Sequence, residues 1–374
     1  MLAFSSSDKE YSLPTTDNII EADLLISVII PNHNRKEFLV SAVESVLGQN
    51  FPKAEYELIV STNNVELDSF LSTKGIKVIH EQSEAIGAKV AKAIEVSDGE
   101  IICFLDDDDL FMPHKLKEIY ELFSKNEIDY HHNDSMIINK AGDVIEERSP
   151  WMAPLLTRLS TVNKVTILNK KDFVRSAGAL YSLVAYNSSS TSLRRELIIP
   201  LLNKLSQIRL GIDLFYFFSS LSTKRKIAVD GRILTKYRVH GKNSASPDLL
   251  NFDSYIETKL EWLMKVIQSR SSMLDIIPPD FMEVKDDQKM EIITEKLLAK
   301  SMPSSTNLKI SFNEYLYYIK KFLQINMRGK RLPIRTLIPF APTVLKKAIW
   351  YSTYKSDVRR YYGVKRKAGV TVKS

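Results

Sequence analysis

Residues 100–110 place an uninterrupted apolar run directly against four consecutive acidic residues. Residues 101–105 carry no charge, and a short run of this kind beside Gly99 is typical of a strand buried on both faces of a parallel sheet. Residues 106–109 are all aspartate and cannot follow that strand into the core, because an unpaired buried charge is too costly. We therefore expect the four carboxylates at the C-terminal edge of the sheet, where open α/β sheets bind their ligands.

Four adjacent carboxylates repel one another, and a divalent cation is the simplest way to neutralise them. Hard oxygen ligands suit Mg²⁺ or Mn²⁺, and such ions commonly carry the phosphates of a substrate. The alternative is a solvated acidic loop, or a cap for a helix that follows at Pro113. The position at the end of a buried strand favours the metal site.

The rest of residues 25–246 alternates between strand and helix patterns. Strands are predicted at residues 26–30, 57–60, 76–79, 227–229 and 233–234, and helices at residues 35–49, 84–96 and 113–124. A hairpin is predicted within residues 130–145. Residues 187–195 are rich in small polar side chains and are predicted to precede a helix from about residue 196. The alternation indicates an α/β domain with a mostly parallel sheet, and residues 247–327 are predicted to form a helical extension.

Charge is distributed unevenly along the chain. The net charge is +7, yet residues 328–374 contain 13 Lys or Arg and one acid, Asp357, so the remaining chain is net acidic. Aromatic side chains interleave with the cations of this tail, among them Trp350, Tyr351 and Tyr354. We expect the tail to contact an anionic membrane surface, and the alternative is a solvated or core-packing pair of helices.

The cellular compartment of the protein can be predicted from its targeting segments and from the number of its cysteines. No run of 18 or more apolar residues is present, so no transmembrane helix is predicted. Residues 1–24 are polar, do not have the pattern of a signal peptide, and are predicted to be a disordered leader. Cys103 is the single cysteine, and its place within the apolar strand predicts a buried filler rather than a nucleophile. The expected location is the reducing cytoplasm, in solution or at the inner face of the membrane.

Five segments resemble, in order, the motifs of the family 2 glycosyltransferases. They are residues 26–35 (Ile-Ser-Val-Ile-Ile-Pro-Asn-His-Asn-Arg), residues 42–49 (Ala-Val-Glu-Ser-Val-Leu-Gly-Gln), residues 99–109 with the aspartate run, residues 211–213 (Gly-Ile-Asp), and residues 237–244 with Tyr-Arg-Val-His and Asn-Ser. The resemblance covers about residues 25–246. It implies the GT-A fold, an α/β fold whose mostly parallel central sheet is flanked by helices.

The resemblance also implies an activity. Family members of this kind are inverting, metal-dependent transferases that move a sugar from a nucleotide-diphosphate sugar to an acceptor hydroxyl, here in glycan or surface polysaccharide synthesis. The leaving diphosphate must be neutralised, the donor held and the acceptor deprotonated. Asp213 falls where the family places its catalytic acid and is the expected general base. The expected cofactor is Mn²⁺ or Mg²⁺, and the expected acceptor is a glycan or a lipid-linked glycan.

Metal and donor ligands are assigned on the same resemblance. Asp108 is expected to bind the metal, and Asp106 to contact the same ion or the donor ribose. His240 is expected to bind the metal or the phosphates, with a structural hydrogen bond as the alternative. Asp107 is assigned to the donor side, and for both Asp107 and Asp109 the alternative is helix capping or support of the metal ligands. The other predicted donor-binding residues are Pro31, Asn32, Asn34, Thr62, Asn63 and Lys89.

Two positions depart from the family pattern. The second strand ends in Ser-Thr-Asn-Asn at residues 61–64, without the acid by which the family holds the nucleotide base, and no Ala-Arg-Asn segment precedes the aspartate strand. One alternative is therefore a catalytically inactive glycosyltransferase-like protein that binds or scaffolds at the membrane. Another, suggested by the basic tail, is a nucleic-acid-binding protein. No recognition motif accompanies that charge, so nucleic acid is not expected as a partner.

Overall fold

The computed structural model describes residues 24–32, 36–240, 248–304, 307–326 and 338–367. Within these residues the strands are β1 (Ile26–Asn32), β2 (Tyr56–Thr62), β3 (Lys77–His80), β4 (Ile101–Phe104), β5 (Leu110–Phe111), β6 (Ile128–Ile138), β7 (Val144–Glu146), β8 (Val165–Leu168), β9 (Thr191–Arg194) and β10 (Lys226–Arg238). The helices of the same part of the chain are α1 (Leu39–Leu47), α2 (Asp68–Thr73), α3 (Ile86–Glu95), α4 (Lys115–Lys125), α5 (Ala153–Arg158), α6 (Lys170–Ala177), α7 (Leu202–Leu205), α8 (Ile212–Ser220), α9 (Phe252–Met273), α10 (Met282–Lys300), α11 (Phe312–Asn326) and α12 (Thr343–Lys367).

The strands form one sheet in the order β3–β2–β1–β4–β9–β6–β10–β5, with β7 paired to β6 and β8 paired to β10. Strands β3, β2, β1 and β4 are parallel to one another. Strand β9 is antiparallel to both β4 and β6, and β6 runs parallel to β10. The C-terminal ends of β1, β2, β4, β6 and β10 therefore meet at one edge, and the predicted mostly parallel sheet is confirmed.

Both faces of the central strands are buried, as the apolar run predicts. Successive strand residues point to opposite faces. In β4, Ile101 and Cys103 pack with α1 and α4, whereas Ile102 and Phe104 pack with α3 and α8. Cys103 is fully buried beside the Ser192 hydroxyl, which agrees with a packing role. Helices thus cover both faces and leave the strand ends accessible.

Two parts of the sheet differ from the sequence prediction. Residues 191–194 form strand β9, where the sequence predicted no strand. The helix predicted from about residue 196 is replaced by short 3₁₀ turns and the four-residue helix α7. Residues 226–238 form one long strand rather than two short ones. Its register against β6 shifts on both sides of Ile233, which explains why the sequence pattern is interrupted there.

The helical region after residue 248 packs on the same core. Met273, Phe281 and Val284 join the cluster that contains the aromatic side chains of α8. The amide Nε2 of Gln288 donates to the hydroxyl of Tyr181 at 3.1 Å. The division of the chain at residue 246 stays a prediction, and residues 1–23 of the predicted leader lie outside the described residues. Within the described part of the chain, every helix is too short or too polar to cross a bilayer.

Helix α12, in the basic tail, packs on the helical region through part of its surface. Trp350 is buried, and its indole N–H donates to the carbonyl of Ser301 at 2.9 Å. The hydroxyl of Tyr255 donates to Asp357 at 2.7 Å. The prediction that Trp350 contacts a membrane is therefore wrong, because the protein interior already covers its ring. Phe340, at 72% exposure, lies at the surface.

Candidate active site

Three of the four aspartates after β4 each contact a different side chain at the carboxyl edge of the sheet. Asp107 accepts a hydrogen bond from the Nδ2 of Asn32 at 2.7 Å. Asp108 contacts the Nε2 of His240 at 2.9 Å. Asp109 accepts from the Ser189 hydroxyl at 2.6 Å. These separate partners stabilise three of the four carboxyl groups in a part of the protein that is largely buried.

Three of the four carboxylates converge. One oxygen each from Asp106, Asp108 and Asp109 lies within 4.8 Å of the others. Burial, and then the charges of Asp108 and Asp106, hold the pKa of Asp109 well above its usual range. The arrangement offers hard oxygen ligands to a divalent cation. Asp109 replaces the predicted His240 in the converging group, and His240 as a ligand stays a prediction.

The end of β10 supports the cluster from the other side. The backbone N–H of Arg238 donates to Asp109 at 2.8 Å, and its Nε donates to the carbonyl of Asp108 at 2.7 Å. The guanidinium of Arg238 lies 4.8 Å from the ring centroid of Phe38, which also contacts the His240 ring at 5.0 Å. The Tyr-Arg-Val-His segment singled out in the sequence therefore fixes the aspartate loop in place.

The predicted donor residues lie along the ends of β1 and β2. Asn32 accepts from the Thr62 hydroxyl at 2.9 Å, so a chain of hydrogen bonds runs from Thr62 through Asn32 to Asp107. Pro31 pairs in register with Ser61 and is buried beside it. Asn63 follows at the half-exposed rim. Asn34 lies outside the described residues, and the donor-binding role of the whole group stays a prediction.

Lys89 is fully buried in α3 and donates to the carbonyl of Glu81 at 2.6 Å. Glu81 in turn donates its backbone N–H to the carbonyl of Thr62 at 3.0 Å. Burial lowers the pKa of Lys89. In this structure Lys89 supports the turn beside the second strand, and its predicted contact with the donor is not tested.

Asp213 lies in the first turn of α8, two residues after the left-handed Gly211, whose φ is +72°. A glycine adopts that conformation without strain, which lets the chain turn into the helix at this point. The carboxylate accepts from the backbone N–H of Leu214 at 3.0 Å and of Asn187 at 3.2 Å. Burial raises the pKa of Asp213 to about 6, although both backbone N–H groups act to lower it. A half-buried carboxylate with that pKa is suited to accept a proton near neutral pH.

One short turn, Ser188–Ser190 with Asn187 before it, joins Asp213 to the aspartate cluster. Asn187 donates its backbone N–H to Asp213, and the Ser189 hydroxyl donates to Asp109 and accepts from the backbone N–H of Asp106 at 2.9 Å. Asn187 has a φ of +71°, a conformation that is costly for a residue other than glycine. The turn places the candidate base and the candidate metal ligands at one site.

Lys115 was not identified from the sequence. Its Nζ donates to the carbonyl of Ser189 at 2.6 Å and to the Thr235 hydroxyl at 3.0 Å, and lies 4.2 Å from the ring centroid of Phe111. Burial lowers the pKa of this amine to about 7. In sequence Lys115 looks like a surface residue of an amphipathic helix, whereas the small polar run at residues 187–190 was visible but had no assigned role.

Comparison with known proteins agrees with the motifs. Residues 27–198 match the model of Glycosyl transferase family 2. Over this range, a little under half of the chain, the protein is similar to the family 2 glycosyltransferases. Asp213 and His240 lie beyond the matched range, so their roles depend on the geometry described above and on the motif resemblance.

Related proteins are named as glycosyltransferases. An uncharacterized glycosyltransferase of Rickettsia felis is 34% identical over 250 residues, which are 63% of this chain and 37% of that protein. One of Rickettsia bellii is 25% identical over 252 residues, which are 63% of this chain and 32% of that protein. The chain thus spans about a third of the length of these curated relatives.

A solved structure confirms the fold. The structure of Staphylococcus aureus TarS 1–349 in complex with UDP-GlcNAc has a TM-score of 0.51 and 16% sequence identity, and the match covers 90% of this chain and 92% of that one. Similarity at this identity identifies the GT-A fold alone. The predicted fold class, a GT-A sheet with a helical C-terminal region, is confirmed.

We predict that Ser189→Ala destabilises the protein more than the neighbouring Ser190→Ala. The Ser189 hydroxyl is fully buried and makes two short hydrogen bonds to the aspartate loop, whereas the Ser190 hydroxyl accepts one long contact, at 3.4 Å, from Asn187. Leaving buried partners unsatisfied should cost about 1–3 kcal/mol in the free energy of unfolding. Urea denaturation followed by circular dichroism measures both variants, and equal losses would contradict the role given to Ser189.

Proposed function

We propose that the protein is an inverting, metal-dependent hexosyltransferase. It moves a sugar from a nucleotide-diphosphate sugar to an acceptor hydroxyl on a glycan or lipid-linked glycan, in glycan or surface polysaccharide synthesis. The observation that carries the proposal is the single turn at residues 187–190, which contacts both Asp213 and the aspartate cluster. Such a link keeps a candidate base and a candidate diphosphate site at a fixed separation, as a one-step displacement requires.

Asp106, Asp108 and Asp109 would hold the metal ion. Their converging oxygens fit Mn²⁺ or Mg²⁺, both of which prefer oxygen ligands. Burial, and then the charges of Asp108 and Asp106, raise the pKa of Asp109, and a bound cation would offset those charges. When bound, such an ion stabilises the charge that develops on a leaving diphosphate. His240 would orient Asp108 through their hydrogen bond, and Arg238 would hold the backbone of the same loop.

Asp213 would take the proton from the acceptor hydroxyl. The carboxylate remains half-buried next to the aromatic residues of α8, and one of them, Tyr216, stacks on Phe104 of β4 with ring centroids 3.8 Å apart. This stacking fixes the helix that carries Asp213 relative to the strand that carries the aspartates. In an inverting reaction one displacement at the sugar needs one base and no covalent intermediate. One carboxylate can fill that role, and burial raises the pKa of Asp213 to about 6.

The donor would lie across the ends of β1 and β2, against Pro31, Asn32, Thr62 and Asn63. The names of related proteins support a nucleotide sugar. TarS was solved with UDP-GlcNAc. A relative from Escherichia coli, 29% identical over 123 residues, is named UDP-Glc:alpha-D-GlcNAc-diphosphoundecaprenol beta-1,3-glucosyltransferase WfgD, a name with both a nucleotide sugar and a lipid-linked acceptor.

The alternative of an inactive scaffold is not favoured. The second strand does end without an acid, but Thr62 is bound into the hydrogen-bond chain that reaches Asp107. The three candidate metal ligands converge, as a cation site requires. Burial also raises the pKa of Asp213 to about 6, a value suited to proton transfer. A protein that only binds would have no need of a buried acid cluster, which is costly to maintain.

The first prediction of the proposed function concerns the metal. Asp108→Asn should weaken Mn²⁺ binding in the presence of UDP by about 10-fold to 100-fold or more. Loss of a residue that only hydrogen-bonds to a metal ligand weakens metal binding by about that factor, and loss of a ligand itself should weaken it at least as much. Isothermal titration with Mn²⁺ and UDP measures the affinity. Release of nucleoside diphosphate from UDP-glucose, UDP-GlcNAc or GDP-mannose measures turnover.

Asp275→Asn, at an exposed acid remote from the sheet edge, is the control. Unchanged Mn²⁺ affinity in Asp108→Asn, or parental turnover in a chelator, would show that the metal role is wrong.

The second prediction concerns the base. Because the pKa of Asp213 is about 6, its carboxylate is protonated below that pH, so the transfer rate should rise with pH to a midpoint near 6 and then level off. Asp213→Asn should lose about 10²-fold to 10⁴-fold in transfer while binding Mn²⁺ and UDP normally. Asp253→Asn, another first-turn aspartate but an exposed one, is the matched control. Transfer within a few-fold of the parent, or loss of UDP binding along with transfer, would exclude Asp213 as the base.

We also propose that the basic tail contacts an anionic membrane surface, by a smaller patch than the sequence suggested. Near the start of α12, Phe340, Val344 and Leu345 are 72%, 82% and 52% exposed, and two lysines, Lys346 and Lys347, follow them directly. Apolar side chains next to cations suit the boundary between headgroups and acyl chains. This contact would hold the enzyme near a lipid-linked acceptor.

Vesicle co-sedimentation tests the membrane contact. The parent protein should pellet with phosphatidylglycerol-containing vesicles more than with phosphatidylcholine vesicles, and Val344→Glu with Leu345→Glu should reduce that pelleting several-fold. Val65→Glu, an equivalent change at a residue 64% exposed on the transferase domain, should have little effect. Equal pelleting on neutral and anionic vesicles, or no change in the double variant, would rule the contact out.

A further inference from the structure

Three aromatic side chains from separate parts of the chain form a cluster beside the candidate active site. The rings of Trp151 and Tyr186 have centroids 5.1 Å apart, those of Trp151 and Tyr237 are 5.9 Å apart, and those of Tyr186 and Tyr237 are also 5.9 Å apart. Each ring therefore contacts the other two. We call these three residues the aromatic patch.

The aromatic patch is open to solvent. Trp151 is 40% exposed, and both tyrosines are half-exposed. Each tyrosine ring contacts the other and the ring of Trp151, so the three rings orient one another. A large exposed aromatic surface on a folded domain marks a binding surface more often than a packing defect.

Backbone continuity places the patch next to the catalytic acids. Tyr186 directly precedes Asn187, whose backbone N–H binds Asp213. Tyr237 directly precedes Arg238, whose backbone N–H binds Asp109. Two of the three rings are thus attached to the residues that hold the candidate base and the aspartate cluster.

The chemistry of the patch differs from that of the donor side. The carboxylates next to β4 suit a cation and a diphosphate, whereas the patch consists of neutral rings with two hydroxyl groups. A pyranose ring has an apolar C–H face that can stack on an aromatic ring and a rim of hydroxyls that can hydrogen-bond to tyrosine. Aromatic side chains with a polar handle are suited to a ligand with both properties.

We propose that the aromatic patch binds a pyranose ring of the acceptor, with the C–H face of the sugar stacked on Trp151. This inference rests on the proposed function, because an acceptor sugar is bound beside Asp213 only if Asp213 takes the proton from an acceptor hydroxyl. It narrows the substrate class to acceptors that carry a ring-form sugar at or next to the hydroxyl that reacts. Tyr186 and Tyr237 position the ring through their hydroxyls and their contacts with Trp151.

The test uses saturation-transfer NMR on the full chain with four probes: the methyl pyranosides of glucose, galactose, mannose and N-acetylglucosamine. Saturation of the protein aromatic protons should transfer to the ring C–H protons of at least one probe. The transfer should fall at least several-fold in Trp151→Ala and be largely retained in Trp151→Phe, which keeps an aromatic face. Phe312→Ala, at an aromatic side chain 73% exposed on α11, is the matched control and should behave as the parent.

The outcomes separate this inference from the proposed function. Binding of UDP with Mn²⁺ is measured on the same samples and should be unchanged in Trp151→Ala. If UDP binds and no pyranoside receives saturation, or if Trp151→Ala and the parent give equal transfer, the patch is not a sugar subsite. If pyranosides bind through Trp151 and neither UDP nor GDP binds with Mn²⁺, the transferase proposal fails and the subsite remains. If Trp151→Ala instead turns a dimer into a monomer in analytical ultracentrifugation without affecting the pyranosides, the patch is a contact between copies of this chain.

Discussion

Four carboxylates in succession at the end of a buried strand are the constraint to which the surrounding structure responds. Each must find a donor or a counter-charge, because carboxylates this close together cannot all remain ionised in a dry environment. Asn32 from β1, Ser189 from a turn, Arg238 from β10 and His240 after it supply those contacts. Hydrogen bonds to the aspartates therefore connect β1, the turn at residues 188–190 and β10 at this edge of the sheet.

The elements near the aspartates could be predicted because their patterns are local. An apolar run of strand length followed by charge predicts a strand that ends at the sheet edge, and parallel strands bring their carboxyl ends together. That reasoning places Asn32, Thr62 and the aspartates side by side, as the structure has them. Asp213 lies in the first turn of α8, between Gly211 and a run of aromatic residues, and this pattern is likewise local.

Other features depend on partners far along the chain, and no local pattern reveals them. Strand β9 is four residues long and its sequence is polar, but β4 and β6 flank it on both sides, so its burial comes entirely from its neighbours. Lys115 resembles any surface lysine until Ser189 and Thr235 surround it. Trp350 is an aromatic residue in a basic tail, and only the tertiary structure shows that Ser301 binds its indole. The periodicity of apolar residues predicts which face of a helix or strand is buried, but it does not predict which other elements pack against that face.

The partners of the aspartate loop come late in the chain, and this affects how the protein folds during synthesis. Asp109 binds the backbone of Arg238, 129 residues further on, and Lys115 binds Thr235, 120 residues further on. When residues 100–110 leave the ribosome, an apolar strand and four acids are exposed long before β10 exists. Contacts of such long range form slowly, and an exposed apolar strand is prone to aggregation in the meantime. The domain thus completes its sheet edge only after most of its own length has been made.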